Sequence, residues 1–236
     1  MPRGAHAADS DFPRKHESKQ WFEFELRFAP YWPNIDSQPG LTGNPYHTIF
    51  GNTARLLVSA ELDVQLLRIP HFGSIGPGLS FGYTQMSAPA PLADGSGVSA
   101  ENTNIEVYPF YLTAVLRIDG LLRDFHVPIV PYVKLGPAYT LWRVFTDSGT
   151  SSYTNPVTGK TTTGFGGTWG EQLALGAQLN LDWIDRRGSG ALDEATGINH
   201  TYIFGEWMFV NLDNFGSSSA LRVGTNTFCG GLAFEF

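Results

Sequence analysis

Between Trp21 and Trp32 the chain places Phe22, Phe24, Leu26 and Phe28 on one parity and Glu23, Glu25 and Arg27 on the other. Side chains of a strand alternate between its faces, so this period of two predicts a strand with one apolar and one charged face. Leu56 to Leu67 repeats the pattern, with Leu56, Val58, Ala60, Leu62, Val64 and Leu66 opposite Ser59, Glu61, Asp63 and Gln65. Leu, Ala, Glu and Gln favour helices, but a two-residue period sustained this long outweighs that propensity.

Six more segments follow. Ser74 to Met86 sets Leu79, Phe81 and Tyr83 against Gly78, Ser80, Gly82 and Thr84. Val130 to Phe145 sets Val133, Leu135, Tyr139 and Leu141 against Lys134, Gly136, Ala138 and Thr140. Trp169 to Trp183 sets Leu173, Leu175, Leu179 and Leu181 against Gln172, Gln178, Asn180 and Asp182. His200 to Leu212 offers Ile203, Trp207 and Phe209 against His200, Tyr202, Glu206 and Met208. The chain ends, over Ala220 to Phe236, with Phe228, Leu232, Phe234 and Phe236 on one parity and Thr225, Thr227, Cys229, Ala233 and Glu235 on the other. Asn104 to Ile118 is interrupted by Pro109, which in a strand marks an edge or a bulge, and the sequence leaves open which of its parities faces which way.

The links alternate in kind. Pro33 to Thr53, Ser87 to Thr103, Thr146 to Gly167 and Asp213 to Ser219 are polar, turn-rich and mostly long, and read as loops at one end. Arg68 to Gly73 is short, Asp119 to His126 holds a helical turn at Leu121 to Phe125, and Asp185 to Asn199 holds another at Leu192 to Gly197. These belong at the other end. An even strand count then brings both termini to the short-turn end, and the expected fold is all-β: an eight-stranded antiparallel up-and-down transmembrane β-barrel over residues 21–236. Residues 1–20 read as the remnant of a signal peptide followed by a mobile periplasmic tail, because Ala5-His6-Ala7 has the small-x-small form of a cleavage site and the stretch after it is polar.

Two orientations fit the same alternation. In a soluble barrel the apolar face points inward; in a membrane barrel it points outward to lipid. Side-chain size favours lipid, since Leu and Phe dominate the apolar parity while Gly, Ala, Ser and Thr crowd the polar one, and a narrow lumen needs small residues. The lipid-facing set is then Phe22, Phe24, Leu26, Phe28, Leu62, Leu79, Phe81, Leu173, Leu175, Phe228, Leu232 and Phe234. The lumenal polar set is Glu23, Glu25, Arg27, Glu61, Asp63, Lys134, Gln172, Gln178, Asp182, Glu206 and Glu235. Acids outnumber bases in it, so some of the acids are expected to be protonated, Arg27 and Lys134 to be shared among several carboxylates, and water to fill the gaps. Trp21, Tyr31, Trp32, Trp142, Trp169, Trp183 and Trp207 fall near strand ends, where amphipathic rings settle at headgroup level.

Composition sharpens this. The 236 residues include 27 Gly and 14% aromatics but only 16% charged residues, against roughly 25% in ordinary soluble domains. A mean hydropathy of -0.12 and short apolar runs exclude helical membrane spans, which need about 20 apolar residues. A net charge of -7 without a basic run argues against nucleic acid. The lone Cys229 excludes an intrachain disulfide.

Catalytic motifs are absent. His200 and Glu206 share a parity and Ser217, Ser218 and Ser219 follow, but the serines lie roughly 40 Å of strand rise from His200, beyond any proton transfer. The six histidines form no metal-binding pair, and Gly164-Phe165-Gly166-Gly167 precedes no helix that would cradle a phosphate. No catalytic residue, cofactor or metal is expected.

Three stretches carry a family resemblance: Val127 to Gly136 (VPIVPYVKLG), Leu192 to Phe204, and the Phe-ended last strand. On them the chain resembles small outer-membrane β-barrel proteins of Gram-negative bacteria, in particular an uncharacterised delta-proteobacterial family. The resemblance implies an outer-membrane location, lipid and the barrel-assembly machinery as partners, and Phe236 as the assembly signal. A non-enzymatic monomer with a structural or surface-interaction role is expected, with a narrow solute channel, a lipid-modifying enzyme and a soluble ligand-binding barrel as the alternatives.

Overall fold

The computed structural model describes residues 21–92, 97–182, 196–218 and 220–236. Eight strands close the barrel: β1 (Phe22–Tyr31), β2 (Arg55–Val64), β3 (Gly73–Pro91), β4 (Val98–Arg117), β5 (Ile129–Thr146), β6 (Phe165–Asn180), β7 (His200–Leu212) and β8 (Thr225–Glu235). Each pairs antiparallel with the next, and β1 pairs with β8 from Glu23 opposite Glu235 to Phe28 opposite Gly230. Over the rows that all eight share no edge is left, so backbone groups there are paired within the wall, as hydrocarbon surroundings require; β3 beyond Tyr83 has no partner on β2.

The strands differ in length. β1 spans 10 residues and β4 spans 20. At about 3.3 Å per residue and a tilt of about 40°, β1 rises ~25 Å along the barrel axis, the height of an apolar membrane band. β3, β4 and β5 overshoot it by about the same again, so the predicted loops Ser87–Thr103 and Thr146–Gly167 are in large part strand. Alternation continues into Ser87–Pro89, with Ala88 buried between exposed neighbours, whereas Val98–Thr103 is exposed or half-exposed at every position, as strand standing in water beyond the membrane. Short ribbons at Gly149–Thr150, Ser152–Thr154 and Thr161–Thr163 extend the next hairpin.

Other boundaries also moved. Leu67 leaves β2 and opens a separate three-residue strand, Leu67–Ile69, against the start of β3. The last strand begins at Thr225 rather than near Ala220. Pro109 causes no bulge: its register with β5 is constant on both sides, and odd positions from Val107 to Arg117 all point inward. The helical turn near Leu121 is present as a short helix, Gly120–Phe125. The turn expected at Leu192–Gly197, Trp183, Ser219 and the signal-peptide and tail reading of residues 1–20 lie outside the described residues, apart from Thr196 and Gly197.

Both described chain ends meet at the short-turn end, where the amide of Trp21 donates to the carbonyl of Phe236 and that of Phe236 to Phe22.

Candidate functional site: a sealed polar lumen

The outer wall is apolar. Phe22, Leu26, Phe28, Leu62, Leu79, Phe81, Leu175, Phe228 and Leu232 are exposed, and Phe24, Leu173 and Phe234 are partly so on the same face. An apolar groove between Leu66, Leu112 and Leu135 lies on this outer face, where the outward positions Pro77, Ala114 and Pro137 lack long side chains.

Toward the long-loop end the outward residues change character within one step. Tyr83 gives way to Gln85, Tyr108 to Glu106, and Tyr139 and Leu141 to Arg143. Tyr83 and Tyr108 pack with ring centroids 5.2 Å apart, and Tyr139 and Trp169 at 4.6 Å. Their polar tips find partners: Tyr83 donates to Gln85 at 2.9 Å, and Trp207 Nε1 to Asn226 Oδ1 at 2.6 Å. This is an aromatic girdle at the water boundary. Two rings expected in it are elsewhere. Tyr31 and Trp142 have inward parity: Tyr31 donates to the carbonyl of Val223, and Trp142 Nε1 to Thr168 Oγ1 at 3.2 Å. Position near a strand end says nothing of parity, and parity decides.

Inside, the charges gather into one connected network. Glu23 and Glu25 are 0% exposed, and Arg27 and Lys134 1%. Arg27 from β1 meets Glu25 at 2.9 Å and also contacts Glu61 of β2 and Glu206 of β7. Lys134, from the far side on β5, meets Glu25 at 2.7 Å, Glu61 at 3.0 Å and Asp63 at 3.7 Å. Each cation is shared among three carboxylates. Tyr132 donates to Glu206 at 2.9 Å.

A second knot lies nearer the short-turn end. Arg117 of β4 contacts Glu23, reaches Glu235 at 3.4 Å and donates to Gln178 Oε1 at 2.7 Å. Gln178 Nε2 donates to Glu23 at 2.5 Å, while Tyr202 and Gln65 donate to Glu235 at 2.7 and 2.6 Å. Arg117, Gln65, Tyr132 and Tyr202 were absent from the predicted lumenal set. Parity alone reaches Arg117 when that of Val107 is carried through Pro109 to the end of the strand; Tyr132 shares the parity of Lys134, and Tyr202 that of Glu206.

Gln172 is fully buried in the lumen as predicted by parity, with neither end of its amide hydrogen-bonded to a described residue. Asp182 sits apart from the network. β6 ends at Asn180, and Asp182 lies half-buried at the rim, where it accepts from His200 and from Asn180 Nδ2 at 3.0 Å. Burial disfavours its charge, but the hydrogen bonds from His200 and Asn180 prevail and hold its carboxyl below the ordinary range. His200 is thus engaged at the short-turn rim, and Ser217 and Ser218 follow β7 at the opposite end.

Above the charges the lumen turns apolar. Tyr31, Leu57, Met86, Val107 and Tyr111 form a layer on which the first long loop folds as a plug. Pro33–Thr53 was predicted to be a polar loop, yet it carries α1 (Pro45–Phe50), whose Tyr46 and Phe50 are buried with Ile35. Asp36 accepts from the amides of Tyr46 and His47 at 2.7 and 2.9 Å, satisfying helix-start donors that would otherwise be orphaned. Tyr46 donates to Met86 Sδ at 3.2 Å, and burial raises its phenol above the ordinary range.

A closed barrel with hydrocarbon outside, an aromatic girdle and ionic groups sealed within defines the class: a membrane-spanning β-barrel, inverted relative to a soluble one. Among solved structures the chain is similar to the outer membrane protein OprG of Pseudomonas aeruginosa (12% identity, 92% of this chain and 96% of that one, TM-score 0.48). It is also similar to Ail, the attachment invasion locus protein of Yersinia pestis, solved with the heparin analogue sucrose octasulfate (10%, 92% and 97%, 0.44). A third is the N-terminal β-barrel domain of Pseudomonas aeruginosa OprF (11%, 92% and 100%, 0.38). No protein-family model and no curated protein matches the chain. Likenesses this distant do not bear on what the barrel does, and its architecture stands on its own strand pairing and wall chemistry.

Proposed function

We propose that this protein is a non-conducting, non-enzymatic integral barrel of the Gram-negative outer membrane, a monomer whose raised hairpins serve surface contacts. One observation carries the reading: the lumen is closed twice, by the shared-cation network around Arg27 and Lys134 and by the apolar layer under the Tyr46 plug. A pore needs a continuous hydrated path, and side chains fill an eight-stranded interior. The apolar band of about 25 Å and its girdle suit a bilayer. The outer membrane, the delta-proteobacterial family and the assembly machinery as partner rest on the resemblance carried by the stretches Val127–Gly136 and Leu192–Phe204.

Catalysis finds no support in the geometry, since the buried carboxylates lie away from solvent. What projects outward is the β3–β4 hairpin and the β5–β6 ribbons, with exposed Tyr153, Val157 and Val98. The test combines membrane fractionation, gel migration with and without heating, and planar-bilayer recording. Outer-membrane partition, faster migration unheated and no current steps are expected; recovery from the soluble fraction, or regular steps, would overturn the reading.

A further inference from the structure

The acids of the lumen are stacked against one another. Glu235, Glu23 and Asp63 occupy directly opposed positions on β8, β1 and β2, and Glu25 opposes Glu61 in the next inward row. Like charges so placed repel. Glu23, Glu25, Glu61, Asp63, Glu206 and Glu235 supply six buried carboxylates, against the three cations Arg27, Arg117 and Lys134. Were all six ionised, three negative charges would stand in excess in a low-dielectric interior, at a cost that protons or a bound cation must offset.

The row containing Glu23 and Asp63 continues to Gly78 on β3 and Thr113 on β4. Gly78 leaves a notch there. A Cβ built on it would lie 2.3 Å from Asp63 Oδ1, 2.9 Å from Thr113 Oγ1 and 3.0 Å from Glu61 Oε1, so three oxygens converge on the space a side chain would fill. Asp63 is 2% exposed and Thr113 3%, yet neither Asp63 Oδ1 nor Thr113 Oγ1 has a hydrogen-bond partner among the described residues. One oxygen each from Glu23, Glu25 and Asp63 also lie within 4.8 Å of one another. That is about twice a calcium–oxygen bond of ~2.4 Å, the largest separation two ligands of one ion can have.

We propose that the lumen holds one hard divalent cation of the calcium class, ligated by Glu23, Glu25 and Asp63 and approached by the Thr113 hydroxyl. Oxygen-only donors exclude soft metals, and the irregular arrangement suits calcium better than magnesium, which demands a near-ideal octahedron. A divalent ion cancels two of the three excess charges. The glycine at 78 keeps the space beside Asp63 open. Because the ligands are sealed from solvent, the ion enters as the barrel closes and dissociates only when it opens.

The full chain is unfolded in urea with EDTA, then refolded into detergent with either calcium or EDTA at constant ionic strength. Expected are one tightly held calcium per barrel by equilibrium dialysis with labelled calcium, and a higher urea midpoint in the calcium sample. Asp63→Asn and the milder Thr113→Val are expected to weaken binding by about 10-fold or more, the usual consequence of disturbing ligands and their neighbours. Glu101→Gln, on the outer hairpin, is expected to bind like the parent. Two results would overturn the proposal: refolding that takes up protons but gains nothing from calcium, or calcium binding unchanged in both Asp63→Asn and Thr113→Val.

Discussion

Arg27 links three buried carboxylates from three strands, and its removal offers the sharpest test of the inverted architecture. Arg27→Ala takes away the guanidinium that contacts Glu25, Glu61 and Glu206, all within a few per cent of complete burial. Glu25 and Glu61 keep Lys134, but among the described residues Glu206 is left with Tyr132. Removing one partner of a buried ion pair costs about 3–5 kcal/mol, because a charge remains buried without compensation. With a urea slope of about 2 kcal/mol per M, the unfolding midpoint should fall by ~2 M. The assay is urea unfolding of the refolded barrel in lipid vesicles, followed by tryptophan fluorescence and by gel migration. A second change, Glu206→Gln in the Arg27→Ala background, should restore at least ~1 kcal/mol, since it deletes the stranded charge. A midpoint shift below about 0.5 M, or no recovery in the double variant, would refute the reasoning: the network would then be hydrated and energetically loose.

Leu26→Arg, at the middle of the outer face of β1, is expected to cost about 2–4 kcal/mol in vesicles, as a charge placed against lipid does; a negligible cost in vesicles would contradict the lipid-facing assignment. Tyr46→Ala removes a buried ring from the plug and is expected to cost about 3 kcal/mol or more and to expose Pro33–Thr53 to protease, yet to leave planar bilayers silent, because the charged layer still closes the lumen. Current steps in Tyr46→Ala would show the plug to be the sole seal. Asp182→Asn should destabilise at neutral pH. The folded-state carboxyl titrates below its ordinary value, so its stabilisation is present above the ordinary carboxylate range and lost as pH falls through the folded value; parent and variant midpoints should therefore converge in acid. A gap that persists there would argue against the His200 contact.

The sequence by itself determined the wall. Period-two alternation fixed eight strands and which side chains share a face, because a strand offers two faces and no third. Bulk on one parity and small polar groups on the other also disclosed which face looks inward: Phe22, Leu62 and Phe228 are outside, and Glu23, Glu61 and Glu206 inside. Tertiary structure alone decided how the inward groups meet. That Arg27 serves Glu61 and Glu206, on neighbouring and distant strands, depends on barrel closure and register, which bring together residues 34 and 179 positions apart. The Tyr46 plug was invisible for the same reason, since a six-residue helix with two apolar rings shows its buried face only once a mouth exists to receive it. Alternation is a local property written into neighbouring residues. Contact across a closed lumen depends on the whole ring.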